Sequence, residues 1–196
     1  MKNFKLFLFV GKAFIENFVE TTTSPERPSK VDIGPVNTMI SQNFIDGLRL
    51  RLSAQTTANL NKHLFGKGYL AYGFRDKRWK GLGEFTYSFN EKAYLPREYP
   101  MNNLVISYQS DVMSPSDKFM PTDKDNVFTS FKFTKVDQMM YFNRLKLKYQ
   151  KEWQFGLRFE TEFNKERDEA CGKLFYQNMD GSGRPSQDAS LYQRYL

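Results

Sequence analysis

The chain has 196 residues, a formal net charge of +7 from 29 Lys and Arg against 22 Asp and Glu, and a mean hydropathy of -0.64. Its single Cys and single His exclude an internal disulfide and a zinc site built on pairs of these residues. The 19 Phe and 11 Tyr favour strands over helices, and no run of roughly 18 to 20 apolar residues could cross a membrane as a helix, so strands would have to carry any membrane role.

The first 43 residues are predicted to be a mixed segment followed by an irregular connection. The start of the chain resembles a signal peptide, but Lys12 and Glu16 interrupt its apolar stretch and no small-residue cleavage site follows. We therefore expect Phe4 to Val19 to be interior sequence of a longer protein. Three prolines lie between Thr21 and Asn43, which is typical of a loop.

A strict period of two begins after Phe44. Between Leu48 and Leu60 the apolar or small residues occupy even positions, namely Leu48, Leu50, Leu52, Ala54, Thr56, Ala58 and Leu60. The odd positions are polar: Arg49, Arg51, Ser53, Gln55, Thr57 and Asn59. Side chains alternate between the two faces of a β-strand, so this run predicts a long strand with one apolar and one polar face.

Six further runs repeat this alternation, at residues 64–74, 84–90, 103–111, 127–134, 144–150 and 153–164. Turn-rich segments join them, and the sequence contains no helical crossovers such as parallel strands require. The predicted fold is all-β, an antiparallel meander of about seven or eight strands over residues 44–164 that forms part of a transmembrane β-barrel. Residues 165–196 are predicted to be a polar loop and the start of a further strand.

The last two runs allow a prediction of strand pairing. A bend at Lys151 to Trp153 would place Gln150 opposite Gln154. The pairs that follow are Tyr149 with Phe155, Leu147 with Leu157, Leu145 with Phe159 and Arg144 with Glu160. The alternation fixes the parity of this register, although it does not fix the register itself.

Alternation alone leaves two environments open for the apolar face. A soluble barrel or sandwich would turn it inward, whereas a membrane barrel would turn it toward lipid. Runs of 10 to 13 residues match the roughly 9 to 11 residues that cross a bilayer as a tilted strand. The apolar faces also carry no charged residue, as lipid contact requires. We further predict that Tyr94, Tyr99, Tyr141 and Trp153 form an aromatic girdle.

Four stretches carry a resemblance to a known family: residues 32–38 (DIGPVNT), 43–49 (NFIDGLR), 68–76 (GYLAYGFRD) and 125–128 (DNVF). The chain resembles large outer-membrane proteins that have a carboxypeptidase-regulatory-like N-terminal domain and a C-terminal barrel domain of unknown function, distantly similar to TonB-dependent receptors. The resemblance covers about residues 10 to 165. It implies location in the cell outer membrane, with membrane lipid and other envelope proteins as partners. It also implies that this chain is a fragment of the barrel.

The sequence predicts no catalytic, cofactor-binding or metal-ligating residue. Glu160 and Glu162 lie two positions apart on one strand face, where an acid and base pair is conceivable. The interpretation adopted is that they balance Arg158, Arg144 and Lys146 in a wet barrel interior. Residues 122–126 (TDKDN) have calcium-like spacing but lack the Gly and distal Glu of an EF-hand, which favours a solvated loop.

The remaining chemically suggestive residues are interpreted as structural. Gly181 to Gly183 is predicted to be a flexible loop, His63 a turn residue after Asn61 and Lys62, and Cys171 an incidental thiol. The basic residues do not form one patch, which argues against nucleic-acid binding. A barrel interior made basic by Arg49, Arg51 and Lys146 could instead attract anionic solutes.

The function predicted from the sequence is therefore a non-enzymatic outer-membrane barrel segment without cofactors. Its parent protein would have a transport or surface-binding role. The alternative is a soluble lipocalin-like barrel whose apolar face lines a cavity for an apolar small molecule.

Overall fold

The computed structural model describes residues 18–24, 27–115, 138–172, 178–179, 185–186 and 192–195. The strands are β1 Val19–Glu20, β2 Thr23–Ser24, β3 Arg27–Pro28, β4 Val31–Ile33, β5 Ile40–Asn43, β6 Gly47–Thr56, β7 Leu64–Gly73, β8 Trp79–Ser88, β9 Asn102–Met113, β10 Gln138–Glu152, β11 Arg158–Gly172, β12 Asn178–Met179, β13 Pro185–Ser186 and β14 Tyr192–Tyr195. A 3-10 turn spans Val36–Thr38. Within the described ranges, no helix is long and apolar enough to cross a membrane.

One antiparallel sheet dominates the molecule. Its strand order is β1-β4-β6-β7-β8-β9-β10-β11-β14, and β5 also pairs with β6. From β6 to β11 each strand pairs with the next one along the chain, which is a meander. Among the described strands, no pairing joins the two ends of this order, so the sheet is open. The predicted all-β antiparallel meander is confirmed.

Six of the seven predicted runs correspond to strands β6 to β11. Strand β10 is longer than its predicted run, and β11 begins five residues later than predicted, at Arg158. The seventh run, residues 127–134, lies outside the described residues. The sheet also extends beyond the predicted meander on both sides. Strands β1, β4 and β5 precede residue 44, β11 continues to Gly172, and β14 adds a further strand.

The predicted pairing of β10 with β11 is wrong in register and right in parity. Gln150 lies opposite Glu160, Leu147 opposite Phe163 and Arg144 opposite Glu166. The register differs because the turn lies further along the chain than the predicted bend. It occupies residues 153–157, where Gly156 has a φ of +86°. In that turn the Trp153 N–H donates to the Leu157 carbonyl at 2.9 Å. The displacement is an even number of residues, so each side chain keeps its predicted face.

Side-chain oxygens fix two of the turns. In the β5–β6 turn, Asn43 Oδ1 accepts hydrogen bonds from the backbone N–H groups of Ile45 and Asp46, at 3.0 and 2.7 Å. Gly47 then adopts a φ of +63°, a conformation that costs glycine little. Before β7, Asn61 Oδ1 accepts from the N–H groups of His63 and Leu64 at 2.8 and 2.9 Å, so His63 is a turn residue as predicted.

The sheet curls toward its polar face. Arg49 on β6 and Asp111 on β9 are separated by two intervening strands, which in a flat sheet would place their backbones about 14 Å apart. Their side chains nevertheless meet in a bidentate ion pair, at 2.6 and 2.8 Å. Tyr69 on β7 also donates a hydrogen bond to Asp111. The polar face is therefore the concave side of the sheet.

Candidate functional site

The convex side of the sheet, called the outer face below, is apolar and exposed. Leu52, Leu70 and Phe85 are 65%, 63% and 62% exposed. The other exposed apolar side chains of strands β6 to β11 on this face are Leu48, Leu50, Leu64, Trp79, Tyr87, Leu104, Ile106, Tyr108, Leu145, Leu147, Phe159 and Phe163. Soluble monomers rarely expose so large a continuous apolar surface.

The concave side, called the inner face, is polar and mostly covered. Tyr69 is 6% exposed and Ser107 is 8% exposed, although both belong to a single-layered sheet. The other buried polar and charged residues of strands β6 to β9 on this face are Arg49, Ser53, Lys80, Thr86, Ser88, Asn103 and Asp111. Phe65, Ala71 and a small cluster of Met113, Met140 and Phe142 are also buried on this face. Apart from them, the distribution is the reverse of that in a soluble globular protein, in which apolar side chains are buried and charges face water.

Aromatic rings cluster at both ends of the outer face. At one end Tyr72 packs against Phe74 and Trp79, with ring centroids 5.4 and 5.0 Å apart. At the other end a row of rings runs across three hairpins, with centroid distances of 5.1 to 6.5 Å between neighbours; its members are Tyr87, Phe89, Tyr149 and Phe159. Between these clusters the outer face is mostly aliphatic, with Phe85 and Tyr108 among the leucines and Ile106.

The four residues predicted to form an aromatic girdle are not members of these two clusters. Tyr99 is exposed in the loop after β8, and Trp153 stacks on Phe155 in the β10–β11 turn. Tyr94 donates a hydrogen bond to Asp32 at 2.9 Å, and Tyr141 donates one to Asp76 at 2.9 Å. Both hydroxyl groups are thus engaged with carboxylates, which sequence alternation could not indicate.

A network of ion pairs joins β6, β8 and β9 on the inner face. Arg49 contacts Asp111 and also Asp46, at 3.1 Å. Lys80, whose side chain is 2% exposed, lies 2.5 Å from Asp46 and 2.5 Å from Asp76. Each buried cation therefore bridges two carboxylates, as buried charges require.

Asp76 is the member of this network that lies in a turn, between β7 and β8. Burial by itself would raise its pKa. Hydrogen bonds from Lys80 and Tyr141 to its carboxylate outweigh that effect and hold its pKa below the ordinary value. The ionised form of Asp76 therefore stabilises the folded state.

The long loop between β8 and β9, residues 89–101, folds onto the inner face at the opposite end of the sheet. The Ala58 N–H donates to the Tyr94 carbonyl at 2.8 Å, and Asn103 donates to the Pro96 carbonyl at 2.6 Å. Within the loop, the Lys92 ammonium donates to the carbonyls of Glu98 and Pro100, both at 2.7 Å. Burial lowers the pKa of Lys92 against the opposing effect of Glu98 and Glu152. The loop is thus anchored in place and narrows the concave space.

Strands β10 and β11 form a ladder of opposite charges on the inner face. The ladder is basic on β10 and, apart from Arg158, acidic on β11. Arg144 pairs with Glu166, Lys146 with Glu162 at 3.0 Å, and Lys148 with Glu160 at 2.5 Å. Arg158 shares Glu160 at 2.9 Å. Glu160 and Glu162 therefore balance neighbouring cations, as interpreted from the sequence for Arg158 and Lys146, whereas Arg144 pairs with Glu166.

A cavity of about 510 Å³ lies between this ladder and the inward loop. Its charged lining consists of Arg97 from the loop, Lys146 and Lys148 from β10, Arg158 from β11, and one carboxylate, Glu84 from β8. Arg97 also lines a neighbouring cavity of about 200 Å³. Sequence patterning did not single out Arg97, because a loop residue has no periodicity that would assign it a face.

The structure separates the three residues of the predicted basic interior. Arg49 is neutralised by Asp46 and Asp111. Arg51 stacks over the Tyr69 ring, with its guanidinium carbon 3.7 Å from the ring centroid. Only Lys146 lines the cavity. Cys171 is a free, half-buried thiol. Residues 122–126 and 181–183, named above as loops, lie outside the described residues.

No protein-family model matches the chain, and no curated protein or solved structure matches it either. The resemblance to outer-membrane proteins carried by the four sequence stretches therefore stays a prediction. The two faces of the sheet and the inward loop are the features of the molecule that bear on function.

Proposed function

We propose that the chain is a non-enzymatic segment of a β-barrel in a bacterial outer membrane. Its outer face contacts lipid and its inner face lines a water-filled interior. The observation that carries this proposal is the inverted distribution of side chains, with exposed Leu and Phe outside and buried ion pairs inside. Transmembrane barrels distribute their side chains in this way.

The dimensions of the sheet support the same proposal. Strands β6, β7 and β8 have 10 residues each and β9 has 12. A strand needs about 9 to 11 residues to cross the hydrocarbon layer at a tilt, whereas strands of soluble proteins most often have five or six. The aromatic clusters at the two ends of the outer face correspond to the two membrane interfaces.

The parent protein is proposed to move or bind a solute at the cell surface. The inner face supports a role in lining a passage because it carries charged side chains. These side chains pair with one another along the strands. The loop of residues 89–101 supports a selective passage, since it occupies part of the concave space. In a lipocalin-like barrel, the alternative prediction, the apolar face of the sheet would surround the cavity, whereas here the exposed Leu and Phe side chains of the outer face line neither of these two cavities.

Tryptophan quenching tests the proposal. The chain has two tryptophans, and Trp79 is 70% exposed on the outer face. In a Trp153→Phe variant reconstituted into neutral lipid vesicles, we expect lipids with brominated acyl chains to quench the Trp79 fluorescence. The matched Trp79→Phe variant reports on Trp153 in the turn and should be quenched less. A soluble, monodisperse β-rich monomer whose Trp79 is insensitive to brominated lipid would overturn the proposal and support the lipocalin-like alternative.

A further inference from the structure

The cavity beneath the loop of residues 89–101 is a place where a solute could be held, and its charge decides what kind. Its volume of about 510 Å³ falls within the range of small-molecule sites, about 300 to 1,000 Å³. Four cations and one carboxylate line it. The ladder carboxylates Glu160 and Glu162 pair with three of these cations, and together with Glu84 they make three carboxylates against four cations, an excess of one positive charge.

Arg97 is the lining cation that has no carboxylate partner among the described residues. Lys146 has Glu162 as a partner, while Lys148 and Arg158 share Glu160. Within the part of the chain that the structure describes, Arg97 forms no ion pair and no hydrogen bond, and it is exposed to the cavity that it lines. A guanidinium group offers two parallel N–H donors that match the oxygens of a carboxylate or phosphate.

The loop holds Arg97 in position. The Pro96 carbonyl, next to it in the chain, accepts from Asn103 on β9. The Glu98 carboxylate, on its other side, accepts from the backbone N–H groups of Ala93 and Leu95 at 2.8 and 2.9 Å. Arg97 is therefore a free cation on a fixed backbone, and a bound anion would not have to order the loop first.

We propose that this cavity binds a small solute carrying carboxylate or phosphate groups. Arg97 is its principal contact, and Lys148 and Arg158 lie on the opposite wall. The inference rests on the proposed function, because the cavity is open to solutes only if the inner face is wet. It adds to that function the chemical class of the solute and the residue that recognises it.

The experiment is a calorimetric titration of the full chain in a neutral maltoside detergent, with citrate and with inorganic pyrophosphate as separate probes. We expect saturable binding of at least one probe, and the two arms distinguish carboxylate from phosphate. Arg97→Gln should weaken binding about tenfold or more, the loss expected for a charge-assisted contact. Arg75→Gln removes the same charge from an exposed turn at the opposite end of the sheet and should leave binding unchanged.

Failure of this inference is distinguishable from failure of the proposed function. Circular dichroism and brominated-lipid quenching of each variant report folding and insertion independently of the titration. Insertion without saturable binding, or equal affinity of the Arg97→Gln and unsubstituted proteins, would overturn the anion site alone. If Arg97→Gln does not fold, Arg97→Lys keeps the charge without the paired donors and should weaken binding by a smaller factor; unchanged affinity in that variant would overturn the role of Arg97.

Discussion

Arg49 is the residue on which the inner face depends most. Its guanidinium joins Asp46 in the β5–β6 turn to Asp111, which lies 62 positions along the chain. Both carboxylates are buried. Sequence alternation assigned Arg49 to the polar face, which is where the structure places it. The identity of its partners could not be predicted, because it follows from the curvature of the sheet across four strands.

Replacing Arg49 with Met tests this dependence. We expect the free energy of unfolding to fall by about 3 to 5 kcal/mol, because Asp111 would stay buried without a counter-charge. Urea unfolding of the protein in detergent micelles, followed by tryptophan fluorescence, measures the change. The exposed pair of Lys62 and Glu91 supplies the control, and Lys62→Met should leave the unfolding midpoint where it is. Equal midpoints for Arg49→Met and the unsubstituted protein would contradict the assignment.

Asp76 makes the stability of the protein depend on pH. Its pKa is lower in the folded protein than the ordinary value of 3.8, so the folded state binds fewer protons on this group than the unfolded state does. The stabilisation is complete above the unfolded pKa and is lost as pH falls through the folded pKa. We expect Asp76→Asn to reduce the drop in thermal stability between about pH 6 and pH 3. Identical pH profiles for the two proteins would contradict this.

Strands β10 and β11 show what a strand sequence can and cannot specify. Period two assigned Leu147 and Phe163 to the same face, and they do lie opposite one another on it. The predicted partner of Leu147 was Leu157, which the structure places in the turn. Every even shift preserves the faces, so the hydrophobic pattern cannot choose among such registers. The turn at residues 153–157 makes the choice.

Paired cysteines measure this register directly. In a Cys171→Ser background, Leu147→Cys with Phe163→Cys should form a disulfide readily, because directly opposed residues have the Cα separation that a disulfide needs. Leu147→Cys with Leu157→Cys should not, since six residues of strand place the two positions about 20 Å apart. Mass spectrometry after mild oxidation gives the yields. A higher yield for the second pair would restore the register predicted from the sequence.

The whole sheet presents two opposite surfaces, and the environment of the outer one decides the proposed function. Phe85 lies at the centre of that surface, opposite Ile106 on β9. In lipid an arginine at this depth is costly, whereas in water an exposed phenylalanine can be replaced by arginine with little effect. The change in the free energy of unfolding caused by one substitution therefore distinguishes a membrane barrel from a soluble barrel.

For the Phe85→Arg variant folded into lipid vesicles, we expect the free energy of unfolding to fall by about 2 to 4 kcal/mol, the range measured for arginine near the bilayer midplane. Urea titration of the reconstituted protein measures it. Leu60→Arg is the matched control, because Leu60 is similarly exposed but lies in the loop after β6. A null result for Phe85→Arg, accompanied by improved solubility in buffer, would remove the support for lipid contact.

The sequence by itself determined the class of fold and the two faces of each strand, because side chains must alternate along an extended backbone. It therefore placed Leu52 and Arg51 on opposite sides and grouped Glu160 and Glu162 with basic neighbours. Only the tertiary structure decided which face is covered, how β10 and β11 align, and that residues 89–101 fold inward with Arg97 in a cavity. These features depend on the curvature of the sheet and on contacts between distant strands and loops, which no local pattern records.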